Sequence, residues 1–536
     1  MAHHAPQTSQ NTQFVFDGKT KLFTLGLAAI GAICLLVTWL TDSEYHYARF
    51  WTSLLHNGVF FTGISFAALF FICTHTMAWG GWFVIFKRIP EAMMMYMPVG
   101  AIALLLVGAG IAMDAEGTDL LYMWADEEKL KTDKLVIHKS QLLNPMSFFL
   151  TIVVVAMWFG FAYIMRKISI KQDSDKDAKA AEQSLYRSRF WAAIFLPIAG
   201  FSSAYVIWLW VMSVDTHWYS TLFAWYASVS LWVSAISVML LIAVFLKSRG
   251  HLEAFTKEHM HDLGKYIFGF SVFWTYLWFS QFMLIWYSNN GEETQYFFLR
   301  FEQFKPIFFL NILINFLVPF FTLMMNSSKR TLGTVGFVAG VVCFGHWLDF
   351  YQMIKPGVWY NYEHGSHAGH DHSGGHGDHG HTSKLEKNTH GDGKAMLTYY
   401  VAPDPDTTKN DHGGHGHDST HVDSTHAHTD STHADTTHNH DGHDHADHDG
   451  HDHADHDHDG HDHGAAGGHG HDDGHGGHGH GEHKFVMGFH FPSLLDLGTM
   501  LGFLGLFLFV TFTFLSKASL YPKNDPFLGE SEHHHT

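Results

Sequence analysis

The chain has 536 residues, of which 15% are aromatic and only 15% charged, and its formal charge is −19. That balance points to lipid as the solvent for much of the chain, and the mean hydropathy of −0.01 averages strongly apolar stretches with one very polar segment. The acidic charge sits largely in that segment and gives no basis for nucleic-acid binding, while the 3 cysteines, Cys34, Cys73 and Cys343, make neither a disulfide framework nor a CxxCH haem-attachment motif.

In chain order, windows of about 20 residues with few charges predict ten transmembrane helices in an all-α integral membrane protein. They fall at 20–41, 55–86, 95–113, 145–165, 190–213, 219–245, 265–287, 305–325, 331–354 and 493–515. No basic leader with a small-residue cleavage site precedes the first, which is expected to remain as an anchor. Lys87 and Arg88, the cluster from Arg166 to Arg189, Lys247, Arg249 and Lys257, and Lys329 with Arg330 follow the even-numbered spans. The positive-inside rule then predicts cytoplasmic tails at 1–19 and 516–536, with nine spans within 20–354. The segment 355–492 is expected outside, before the tenth span.

This segment holds most of the 47 histidines, together with Asp, Gly, Ser and Thr. It has too little apolar surface to offset its ordering entropy and is expected to be disordered. Its imidazoles and carboxylates, His443, His445, His451 and His453 among them, would bind zinc, nickel or copper weakly and without fixed geometry. A divalent metal-ion transporter, or a metal-buffering membrane protein, is therefore the alternative reading. Transport would need His or carboxylate ligands from at least two helices near the bilayer centre, and the spans offer little of that. No Walker loop, GxGxxG or HExxH motif occurs.

Ionisable residues inside a span are costly and mark function. His56 starts the second span, Asp114 ends the third, Asp215 and His217 follow the fifth, and His346 and Asp349 lie in the outer part of the ninth. The last two are three residues apart on one helical face, where the carboxylate could orient the imidazole. An outward cluster of His and Asp suits quinol oxidation, in which hydroxyl protons must be accepted as electrons leave. Trp208, Trp210 and Phe60 could line an apolar slot for the quinone, with His56 beside it. His56 and Asp114 read equally well as interface residues satisfied by water, and His217 as a capping residue. His75, near Thr74, could join Asn311 and Asn315 in a proton path inward, or be an ordinary buried histidine. Lys87, Arg88 and Glu91 read as snorkelling groups at the inner interface. His75 has no histidine at its level, so only His56 and His346 could pair for haem b. The chain is expected to bind neither haem nor an iron–sulfur cluster.

Four stretches, "VMSVDTHWYSTLFAWY" (211–226), "HDLGKYIFGFSVFWTYLWFSQFMLIWYSNNGEET" (261–294), "GHWLDFYQMIKPG" (345–357) and "KASLYPKNDPFLGESEHHH" (517–535), carry a resemblance. The chain resembles the ActF-type membrane subunits of bacterial alternative complex III, a quinol:cytochrome c oxidoreductase, within the polysulfide-reductase membrane-anchor family. The resemblance implies two four-helix bundles, spans two to five and six to nine, with outer helices at each end. It also implies a place in the bacterial inner (plasma) membrane, a quinone such as menaquinone as cofactor, and partner subunits that carry haem c and iron–sulfur clusters. A sister subunit is the better candidate for the quinol site in that family, which leaves this type quinone binding, proton conduction or both. His346 and Asp349 match its GHWxD motif, and Asp215 with His217 its DxHW motif. Thr216 and the stretch 291–294 depart from the usual residues at turns, and the histidine-rich segment has no counterpart.

Overall fold

The computed structural model describes residues 13–126, 131, 133–175, 177–368 and 485–535. Among them ten helices are long and apolar enough to cross a membrane, and no strand forms. The protein is an all-α, multi-pass membrane protein. Its helices are α1 (Gly18–Thr41), α2 (Ala48–Met77), α3 (Val84–Ala112), α4 (Pro145–Gln172), α5 (Ala178–Trp210), α6 (Thr221–Ser248) and α7 (Lys257–Ser288). A short amphipathic helix α8 (Gly291–Glu302) precedes α9 (Lys305–Leu323), α10 (Leu332–Ala368) and α11 (Leu494–Leu515). The last three are the eighth, ninth and tenth spans.

The packing gives the expected two bundles. Helices α2 to α5 close a ring in which each touches the next and α5 returns to α2, while α6, α7, α9 and α10 form a second ring. Helices α2 and α6 are the most enclosed and pack on each other where the bundles meet. Outside them α1 and α11 pair along their length. There an added Cβ on Gly502 would lie 2.4 Å from the Gly31 Cα, so only glycine allows this approach.

One end of the molecule, here the terminal face, gathers both ends of the described chain, as Gln13 Nε2 donates to Ser516 O at 3.3 Å. The opposite, distal face carries the links after α1, α3, α5 and α7. Helix ends differ from the apolar windows in several places, and three show why. The second window runs through Gly80 and Gly81, where the chain turns and Trp79 has φ 56°, so α2 ends at Met77. Helix α5 begins twelve residues before its apolar window, because its polar first turns lie beyond the hydrocarbon. Helix α10 continues past residue 354, through Pro356, to Ala368.

The segment expected to be a loop from 355 to 492 therefore has structured edges. On its far side Phe489 and His490 are buried, with His490 stacked on Phe304 at 4.8 Å. The expected disorder of the histidine-rich stretch, and metal binding at His443, His445, His451 and His453, lie outside the described residues.

Gly502→Leu should force α1 from α11 and destabilise the protein by about 1–3 kcal/mol, the usual cost of overpacking. Gly26→Leu, where an added Cβ meets nothing within 4 Å, should leave the melting temperature in detergent unchanged.

Candidate functional site

The interior of the second bundle is polar, and each of its helices supplies one stripe. Ser230, Ser234 and Ser237 lie along α6, Ser271 and Gln281 along α7, Asn311 and Asn315 along α9, and His346, Asp349 and Gln352 along α10. All are buried. Spacings of three and four residues put the sets of α6, α9 and α10 each on one helical face, whereas Ser271 and Gln281 are ten residues apart along α7.

Asp349 is the centre of this interior. Its Oδ1 accepts from the Tyr226 hydroxyl and its Oδ2 from Trp274 Nε1 at 2.9 Å. His346 places Nδ1 2.9 Å from Ser230 Oγ and meets the Trp274 ring edge-on at 5.6 Å. No hydrogen bond or ion pair joins His346 to Asp349, contrary to the expectation from their spacing. The Ser230 hydroxyl faces both and takes the intermediate position. Among the described residues no cation bonds to Asp349. Its partners are neutral donors, so gain or loss of a proton there breaks no ion pair. Because α10 runs on to Ala368, the two residues lie near its middle rather than at its outer end.

Toward the distal face, Asp215 pairs with Arg300 of α8 at 2.8 Å rather than with its neighbour His217. Arg300 is 2% exposed and lies 3.4 Å over the Tyr296 ring. Its seat comes from a proline: Pro356 has no N–H, which frees the Gln352 carbonyl one turn earlier. Arg300 Nε donates to that carbonyl at 3.1 Å and Nη2 to Met353 O at 3.0 Å. His217 instead pairs with Asp133 at 2.6 Å. Burial pushes the Asp133 carboxyl up, but the His217 ring and the Val136 and Leu135 amides outweigh it and hold its pKa below the usual carboxylate value. Asp215, His217, Trp218, Glu292, Tyr296 and Asn361 line a cleft of about 400 Å³, counting its open mouth. A second, smaller recess lies behind Tyr296 and is bounded by Tyr226, Gln281, Arg300 and Gln352. Tyr296 is common to both cavities, and Tyr226 links the inner one to Asp349.

Other expected residues fall elsewhere. His56 is buried, but its Nε2 meets Trp347 O at 3.0 Å and its ring packs on Trp347 at 4.8 Å. It belongs to the α2–α10 contact, whereas His346 turns toward α6 and α7, so the two imidazoles do not face one another as haem ligands would. Asp114 is exposed at the end of α3 with φ 50° and joins no cluster. Trp208 is partly buried on α5 and lines neither cavity. Trp210 donates to Thr151 at 2.6 Å, and Phe60 packs edge-on to Phe350, so neither forms the expected slot. The aromatic side chains at the distal cleft are Trp218 and Tyr296, stacked at 3.8 Å.

Asn311 and Asn315 do interact, with Asn315 Nδ2 donating to Asn311 Oδ1 at 3.4 Å and Asn311 donating to Gln352. A π-helical turn at Leu313–Leu317 carries Asn315, and such turns concentrate at functional sites. His75 is not in this chain. Its Nδ1 bonds Phe71 O at 2.8 Å, so its Nε2 accepts from the Tyr266 hydroxyl at 3.0 Å. Lys87, Arg88 and Glu91 do not snorkel: they are buried, with Lys87 paired to Asp525 and Arg88 to Glu91 and Asp173.

Several key residues were not singled out from sequence. Tyr226, Trp274 and Ser230 sit among many aromatic and hydroxyl residues and carry no distinguishing local pattern. Arg300 could have been found as the lone cation of "FFLRFEQF". Lys355 and Asp496 form a buried pair at 3.3 Å that ties α10 to α11, with Ser53 donating to Asp496 at 2.9 Å. Among the described residues no three His, Cys, Asp or Glu side chains converge as a metal site would need.

No protein-family model and no curated protein matches the chain.

Arg300→Met should destabilise the purified protein by about 3–5 kcal/mol, because it leaves Asp215 buried without its cation. Adding Asp215→Asn should restore part of that loss in a denaturation series, whereas additive losses would show that the pair is not coupled.

Proposed function

We propose that the protein is a membrane subunit of a respiratory quinol:cytochrome c oxidoreductase, of the alternative complex III type, and that its second bundle transfers protons. The observation that carries this reading is Asp349, a carboxylate deep in a transmembrane bundle held by neutral donors alone. Asp215 and Asp496 are each tied to a cation, Arg300 and Lys355, whose loss would leave an uncompensated charge, whereas among the described residues no such partner fixes the charge state of Asp349. The two cavities, which share Tyr296, and Tyr226 give Asp349 an approach from the distal face past Gln281 and Arg300. The resemblance of the stretches around Asp215, Asp349 and the C-terminal tail to complex III membrane subunits supplies the redox context.

In this reading the distal face is external and both termini are cytoplasmic, in a bacterial inner membrane. Quinol, menaquinol among the candidates, is oxidised near the distal cleft, within this chain or beside it, and electrons leave through partner subunits that carry haem c and iron–sulfur clusters. His217 and Glu292 accept or relay protons at the cleft mouth, while Asp215, held by Arg300, stays charged and fixes the cleft wall. Asp349 then holds a proton in the interior, with Tyr226 and Ser230 beside it and His346 reached through Ser230.

Asp349→Asn should lower quinol:cytochrome c turnover of the intact complex by about 10²-fold or more, the usual contribution of a proton-transfer group, without loss of assembly. Asp114→Asn, at an exposed helix end, should leave turnover unchanged. Full activity of the Asp349→Asn complex would remove Asp349 from the mechanism.

A further inference from the structure

Several polar atoms inside the second bundle have no hydrogen-bond partner. They are His346 Nε2, Ser271 Oγ, Ser237 Oγ, Asn315 Oδ1 and Gln281 Nε2, one or more from each of its four helices. Each side chain is at most 4% exposed. An unmet buried polar group costs about 1–3 kcal/mol, so five within one bundle would burden the fold severely unless something small and polar meets them.

Their placement is not scattered. Ser230, bonded to His346, lies seven residues from Ser237 along the same stripe of α6, which is about 10 Å at 1.5 Å per residue. Ser271 is three residues from Trp274, the donor to Asp349, and on the same face of α7. Asn315 Oδ1 lies against Gly345, where an added Cβ would come within 2.2 Å of it. Toward the terminal face, Tyr266 follows about one and a half turns from Ser271 and donates to His75.

We propose that the second bundle binds a file of water molecules from Asp349 toward the terminal face as far as Ser237, anchored by His346 Nε2, Ser271 Oγ, Ser237 Oγ and Asn315 Oδ1. Water matches these anchors because it donates to the imidazole and amide acceptors and both donates to and accepts from the serine hydroxyls. Three or four waters at about 2.8 Å spacing cover the stretch from Ser230 to Ser237. This inference rests on the proton-transfer reading and extends it toward the terminal face. Each hop breaks one O–H bond and forms the next, so one proton taken up at Asp349 is released as one proton at the far end. No electron or co-reactant is required.

The test is hydroxyl-radical labelling of the purified full-length protein by brief X-ray pulses, in which bound water is itself the probe. Trp274 should take up oxygen severalfold faster than Trp210, although both are buried. Ser237→Val with Ser271→Val, which replaces the anchoring hydroxyls by methyl groups, should abolish that difference and lower turnover of the intact complex. Equal labelling of Trp274 and Trp210 in the unmodified protein overturns the proposal, and that measurement needs no variant to fold. Asp349→Asn, assayed in parallel, separates the two claims. If it is fully active, the proton-transfer reading fails. If it is inactive while the serine variants keep both labelling and turnover, the water file alone fails.

Discussion

A carboxylate inside a bilayer must be hydrogen-bonded, neutralised or hydrated, and the second bundle is organised around how Asp349 meets that demand. Tyr226 from α6 and Trp274 from α7 reach it from two neighbouring helices, and its own helix, α10, carries His346 one turn away. These contacts fix the faces that α6, α7 and α10 turn inward. The remaining polar stripes, the serines of α6 and the asparagines of α9, continue the same interior.

The contrast with other buried or partly buried acids is instructive. Asp496, Asp215 and Asp173 each have a cation, in Lys355, Arg300 and Arg88. These pairs tie elements together: α10 to α11, the link after α5 to α8, and α3 to the end of α4. Breaking one leaves an uncompensated charge, which suits a clamp and does not suit a group that must change its protonation state. The bundle thus separates structural from exchangeable acids by the partners it gives them. The same economy appears at Pro356, whose missing N–H leaves one backbone bond of the continuous α10 unmade and so frees the carbonyl that seats Arg300.

Much of this was legible in the sequence, and the limits have physical causes. Ten spans follow from apolar windows because lipid demands them, and their two-bundle grouping followed from the resemblance. The ends were less clear, since helices such as α5 extend beyond the hydrocarbon with polar turns, and the Gly80–Gly81 turn sits within an apolar run. His346 and Asp349 were legible as rare ionisable groups on one helical face. Their actual partners were not, because Tyr226, Trp274 and Ser230 come from other helices and depend on packing. For the same reason His56, one helical face away, was wrongly grouped with them, and His75 was linked to the asparagines rather than to Tyr266.

The most direct measurement is an infrared difference spectrum of the intact complex between its oxidised and quinol-reduced states. If Asp349 exchanges protons during turnover, a protonated-carboxyl carbonyl band changes between the two states and is missing from the Asp349→Asn complex. Identical difference spectra for the two proteins would contradict the central claim that this carboxylate is the exchangeable acid of the bundle.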